Sequence, residues 1–247
     1  MRRALTALVV ASVSVMLAAG PAWADESLAG RTIVLDPGHQ LGNSNPRFAK
    51  QMAQQRFNGS IVKGCNTTGT ATNAGFPEAT FTWRVAQELK TMLEARGARV
   101  VLTRDRNSRQ AWGPCVWDRA RIGTQAGADA MISIHGDGAP ASARGFFAIA
   151  PTVIPGWTND IAAADRRLAR AMIAGMADAG APPANDVRGQ LQVRSDQSTL
   201  NFSDVPTTII ELGNMRNASD ARRMSSRSGQ RQYAAWLAAG IERFLQR

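Results

Sequence analysis

Apolar residues fall along this chain in two rhythms. Short runs come at Thr32-Ile33-Val34-Leu35, Arg99–Thr103, Ala130–Ile134, Gly145–Ile149, around Leu191–Val193, and at Thr207–Ile210, and each predicts a strand. Between them lie amphipathic stretches of helical period at 78–95, near Trp117–Ala126 and Asp160–Asp178, and at Gln230–Phe244; Gly97 closes the first. The alternation predicts an α/β fold: one domain with a mostly parallel, twisted sheet flanked by helices. There is no internal repeat and no sign of a second domain. Residues 40–75 break the pattern, being rich in Gly, Asn, Thr and Pro without clear periodicity. A loop that long in a compact domain is usually functional.

The first residues carry a different signal. Arg2 and Arg3 precede an apolar stretch from Ala4 to Ala19, and Pro21 then leads into Ala22-Trp23-Ala24. This reads as a secretory signal peptide over residues 1–24, with cleavage before Asp25. An uncleaved anchor is the other reading, but the run is shorter than the roughly 20 residues that a membrane helix needs. Cleavage would leave residues 25–247 as the functional domain, exported to the periplasm, cell wall or medium, expected as a monomer with no stable membrane anchor.

Export changes what charge and cysteine mean. The formal net charge is +10, falling to +8 once Arg2 and Arg3 are removed, and only Lys50, Lys63 and Lys90 among the 29 basic residues are lysines. A positive surface suits an anionic cell wall. The arginines are scattered rather than gathered in one stripe, which argues against nucleic acid as partner. Cys65 and Cys115, an even pair in an oxidising compartment, are expected to form one disulfide.

The chemistry centres on the two histidines. His39 follows the first strand and its Asp36-Pro37-Gly38 ending, and His135 follows Met131–Ile134. Sites in open α/β sheets gather at the carboxyl ends of strands, so both imidazoles can face one crevice. Glu78 offers a third ligand. At 100° per residue it lies within about 60° of Phe81, Val85, Leu89 and Met92, on the apolar stripe, whereas Glu94 falls on the wet side. An inward carboxylate must be paired or bound to a cation. The alternative is that Glu78 only charges the first helical turn at the surface, where the helix dipole favours it. His39, Glu78 and His135 together would make a three-ligand site with an open position, the catalytic pattern for one zinc ion. Glu211 ends the run Thr207–Ile210 and is placed either as a general base and acid or as a partner that orients a ligating histidine.

At these residues the chain resembles the zinc-dependent N-acetylmuramoyl-L-alanine amidases of the amidase type 3 family, from about Arg31 to the C-terminus. Ile33–His39 resembles the family's opening strand and first zinc histidine. Glu78 with its helix is similar to the glutamate ligand, Asp129–His135 to the second histidine segment, and Pro206–Gly213 with Asn217 to the segment bearing the catalytic glutamate. The sequence departs from the pattern at Gly136-Asp137, where a small residue and asparagine are common, and at Leu212–Asn217. The resemblance implies zinc-dependent cleavage of the amide between muramic acid and L-alanine in peptidoglycan or muropeptides, with Glu211 as base, in a stand-alone catalytic module. Another zinc hydrolase of the wall, either a peptidase or a sugar deacetylase, and a non-catalytic wall-binding protein are the rival readings. The 40–75 loop is expected to border or cover the cleft, tied near Cys65 to Cys115.

Overall fold

The computed structural model describes residues 26–246; the expected leader, 1–24, lies outside them. The chain runs β1 (Thr32–Pro37), α1 (Ala49–Met52), β2 (Gln55–Phe57), β3 (Val62–Gly64), α2 (Glu78–Glu94), β4 (Arg99–Leu102), α3 (Val116–Ala126) and β5 (Ala130–Asp137). It continues with β6 (Phe147–Pro151), α4 (Ala162–Asp178), β7 (Leu191–Arg194), α5 (Ser198–Asn201), β8 (Thr207–Asn214), α6 (Ala218–Ser225) and α7 (Arg227–Leu245).

Six strands form one sheet in the order β4-β1-β5-β8-β6-β7. The first four are parallel; β6 runs antiparallel to β8 and parallel to β7. The mostly parallel sheet predicted from sequence is therefore present. Both faces are covered, and the strands show why. In β1, Ile33 and Leu35 enter the main core while Val34 joins Met131 on the other face. In β5, Ala130, Ile132 and Ile134 share that main core, beneath α2, α4 and α7. Strands buried on both sides are expected to be continuously apolar rather than alternating. Burying Ile33, Leu35, Ile132 and Ile134 contributes about 1.5–3 kcal/mol each.

The structure moves several expected boundaries. β5 and β8 run on through Asp137 and Asn214, so His135 and Glu211 stand within strands rather than beyond them. The expected 145–149 strand lies at Phe147–Pro151, because Gly145 has φ 85° and no room for a side chain against the Pro183 backbone. Residues 40–75 are not structureless. They hold two short 3-10 turns, α1 and the β2–β3 hairpin. No helix among the described residues is long and apolar enough to cross a membrane.

Candidate metal centre and cleft

Three elements bring the predicted ligands together. His39 leaves β1 in the left-handed region, φ 59°, which a non-glycine residue adopts only when its surroundings impose it. Those surroundings are specific. Arg119, from the first turns of α3, donates to the carbonyls of His39 and Pro37, each at 2.8 Å, and to that of Pro114 at 3.0 Å. Thr82 of α2 donates to Gly38 O at 2.9 Å, and Arg104 donates to Pro37 O at 3.0 Å and Ala79 O at 2.8 Å. The histidine-bearing turn and the start of the glutamate-bearing helix are thus tied to the same guanidinium.

Beneath this turn lies a buried charge. Asp36 is the cross-strand neighbour of Ser133 and accepts from Ser133 Oγ at 2.6 Å, Thr103 Oγ1 at 2.5 Å and Arg119 Nη1 at 3.1 Å. Burial pushes its pKa up, but Arg119 and the two hydroxyls outweigh it and hold the carboxyl below the ordinary range.

Glu78, only 4% exposed, opens α2 and faces inward as the helical stripe predicts. Its Oε1 meets His39 Nε2 at 3.1 Å and His135 Nδ1 at 3.0 Å, and accepts from Gly136 N at 3.1 Å; Oε2 accepts from Thr70 N at 2.8 Å. The imidazoles meet nearly edge to face, with centroids 4.9 Å apart. Two glycines make this approach possible. A Cβ at Gly38 would stand 2.7 Å from both ring nitrogens of His135, and one at Gly69 would stand 2.7 Å from Glu78 Oε2.

One potential ligand atom from each of His39, Glu78 and His135 lies within 4.8 Å of the others, close enough for one ion to join them. A tetrahedral ion with bonds of about 2.0–2.1 Å separates its ligands by about 3.3 Å, near the observed N···O distances. His39 Nδ1 lies 3.1 Å from both Thr67 O and Thr67 Oγ1. A proton donated there leaves Nε2 as a lone pair facing Glu78, the arrangement in which a histidine serves as ligand. Burial opposes a charged His39, but the Glu78 carboxylate prevails and holds its pKa above the ordinary imidazole value. Burial likewise works to raise Glu78, yet the fields and hydrogen bonds of the two histidines hold it well below the carboxylate range. A cation would meet a ready anion there.

Glu211 is the register partner of His135 across β5 and β8. Among the described residues its Oε2 is enclosed with no hydrogen-bond partner. Burial, then repulsion from Glu78 and Asp137, pushes its pKa well above the usual range against the pull of Arg194. Together these residues line an open cleft of about 330 Å³, and a second chamber of about 180 Å³ shares the two histidines. The 40–75 segment borders both through Thr67 and the first also through Thr70, and the Cys65–Cys115 disulfide is formed. Asp137 and Arg194 also face the cleft but were not singled out as site residues from sequence. The one signal for Asp137 was its departure from the family's asparagine; Arg194, at the end of a short strand, gave none.

Known proteins similar to this chain are N-acetylmuramoyl-L-alanine amidases. The sequence profile described as N-acetylmuramoyl-L-alanine amidase matches residues 33–243. An N-acetylmuramoyl-L-alanine amidase of Mycobacterium tuberculosis is 38% identical over 224 residues, 89% of this chain and 88% of the relative. The crystal structure of an N-acetylmuramyl-L-alanine amidase from Mycobacterium smegmatis superposes with a TM-score of 0.81 at 34% identity, covering 89% of this chain and 98% of that one. The apo Mycobacterium abscessus amidase gives 0.80 at 36% identity, over 88% and 100%.

Proposed function

The chain belongs to the N-acetylmuramoyl-L-alanine amidase family, and on that premise we propose that it hydrolyses the amide joining N-acetylmuramic acid to L-alanine in peptidoglycan, using one zinc ion. The observation that carries the zinc reading is the meeting of His39 and His135 on a single oxygen of the buried Glu78. Two imidazoles and a carboxylate with an open side fit catalytic rather than structural zinc.

In this proposal His39, Glu78 and His135 hold the ion, which when bound supplies a Lewis acid and a water of lowered pKa. Thr67 fixes the His39 ring through Nδ1, and the amides of Thr70 and Gly136 fix the Glu78 carboxylate. The carboxylate of Glu211 takes the proton that the attacking water gives up and delivers it to the departing alanine nitrogen. General acid–base help of this kind contributes about 10²–10⁴-fold. Glu211 suits the task because it lines the cleft as the register partner of His135. The wall substrate supports export, and a leader over 1–24 remains the proposed route.

The test is product identification by mass spectrometry after incubating the zinc-loaded protein with muramyl peptides. Free stem peptides beginning with L-alanine are expected. Internally cut peptides, or glycans that have lost acetate, would assign the site to another hydrolase class. Sedimentation with peptidoglycan and no released product would make it a binding protein.

A further inference from the structure

The two chambers beside the metal centre are lined by both acids and cations. Glu211 and Asp137 face the first chamber. The cationic side chains among the lining residues are Arg194, in the first chamber, and Lys63, in the second. They come from elements far apart in sequence, the end of β7 and the β2–β3 hairpin, yet converge on one carboxylate. Arg194 grips Asp196 in a fork, Nε to Oδ1 and Nη2 to Oδ2, both at 2.8 Å, whereas Lys63 Nζ stands 3.5 Å from Oδ2. Two cations share one anion, so this wall keeps a positive charge that nothing inside the trio cancels.

The trio is also held in place. Asn58 of the hairpin turn donates to Asp196 O and Ser198 Oγ, each at 3.2 Å, and Asn201 returns hydrogen bonds to Asn58 O at 2.8 Å and Ser195 O at 2.7 Å. A preorganised guanidinium gives up less entropy for each hydrogen bond it forms.

We propose that Arg194 and Lys63 bind a carboxylate of the stem peptide and thereby fix which side of the metal centre the peptide occupies. The inference rests on the amidase reading. In that substrate the lactyl carboxyl of muramic acid is consumed in the scissile amide, so its free carboxylates lie on the peptide side. The peptide then runs along the hairpin and the end of β7, and the sugar lies toward the other lining residues of the cleft, Asp137 and Gly138 among them. An ammonium and a guanidinium beside one another suit a carboxylate through charge-assisted hydrogen bonds.

Calorimetric binding to the zinc-loaded Glu211→Gln protein tests this without turnover. The ligands are muramyl-L-alanyl-D-glutamate amidated at its γ-carboxyl, so that the α-carboxylate is its one acidic group, and the same molecule amidated at both carboxyls. The acid is expected to bind about tenfold tighter than the amide at low salt. That preference should fall toward unity when Arg194→Gln or Lys63→Gln is added, survive in large part with Arg194→Lys, and shrink as salt rises. Equal affinities for the two ligands, no binding of either, or an unchanged preference in both Gln variants would overturn the inference. The amidase reading fails by a different result, the absence of released stem peptide from the unsubstituted enzyme.

Discussion

The floor and the wall of the cleft are held together by different means. The floor is the carboxyl end of β1, β5 and β8, where backbone ladders fix His135 opposite Glu211 and a buried ionic network under His39 fixes the third strand end. The wall is residues 41–75, whose β2 strand is exposed throughout. Single side chains reach backbone carbonyls here, Asn43 to Thr67 within the wall and Asn45 to Arg109 and Asn58 to Asp196 beyond it. One disulfide anchors it. The contrast teaches that the proposed ligands stand on tightly packed elements, with Thr67 and Thr70 of the wall bracing two of them, while the wall itself has the sparse packing that binding loops commonly share.

The sharpest way to break this comparison is to damage the floor's network. Arg119→Met leaves Asp36 as a buried charge without its cation and removes the donors to His39 O and Pro37 O. Removing one partner of such a pair costs about 3–5 kcal/mol. Denaturant unfolding should show that loss, and adding Asp36→Asn should recover part of it. A loss near zero would mean that the floor does not depend on the pair.

A smaller effect is expected at the wall. Replacing both Cys65 and Cys115 by Ala opens a link spanning 50 positions and should cost about 2–4 kcal/mol. Hydrogen exchange should quicken across 41–75 while 32–37 and 130–137 stay protected. Equal quickening in both regions would erase the distinction.

The smallest effect concerns the base of the floor. Asp165 of α4 accepts from Thr207 N at the start of β8 at 2.7 Å, and its Oδ2 is enclosed without a partner among the described residues. Burial, reinforced by Asp160 and opposed by the Thr207 amide and Arg166, pushes its pKa up to about 8. The folded protein therefore keeps a proton that the unfolded chain releases near the ordinary value of 3.8. Stability from this group is full below that value and falls as pH rises toward about 8. Asp165→Asn should flatten that slope, gaining about 1–3 kcal/mol more at pH 8 than at pH 5. Melting temperatures that shift equally at both pH values would contradict it.

The floor was legible in the sequence and the wall was not, for a physical reason. Strands such as 32–35 and 130–134 declare themselves because burial on both faces demands apolar residues in a run, and Glu78 stood out because a carboxylate on an apolar stripe must be answered. His39, His135 and Glu211 were legible as residues that gather near strand ends, although β5 and β8 extend past His135 and Glu211. That extension was hidden because Gly136, Asp137, Gly213 and Asn214 carry no apolar signal; a bulge between His135 and Asp137 accommodates them. The β2–β3 hairpin and α5 escaped because crosslinks and asparagine hydrogen bonds hold them, and these leave no periodicity. Asp36 could have been read as needing a partner, but nothing local names Arg119, 83 positions away.

One measurement bears most directly on the division of labour at the floor: turnover of muramyl peptide by Glu211→Gln, with zinc content determined on the same sample. One zinc ion per chain and a turnover loss of about 10²–10⁴-fold are predicted. Turnover near that of the unsubstituted enzyme would remove Glu211 from the chemistry, and loss of the zinc would make it a ligand, contradicting the three-residue centre.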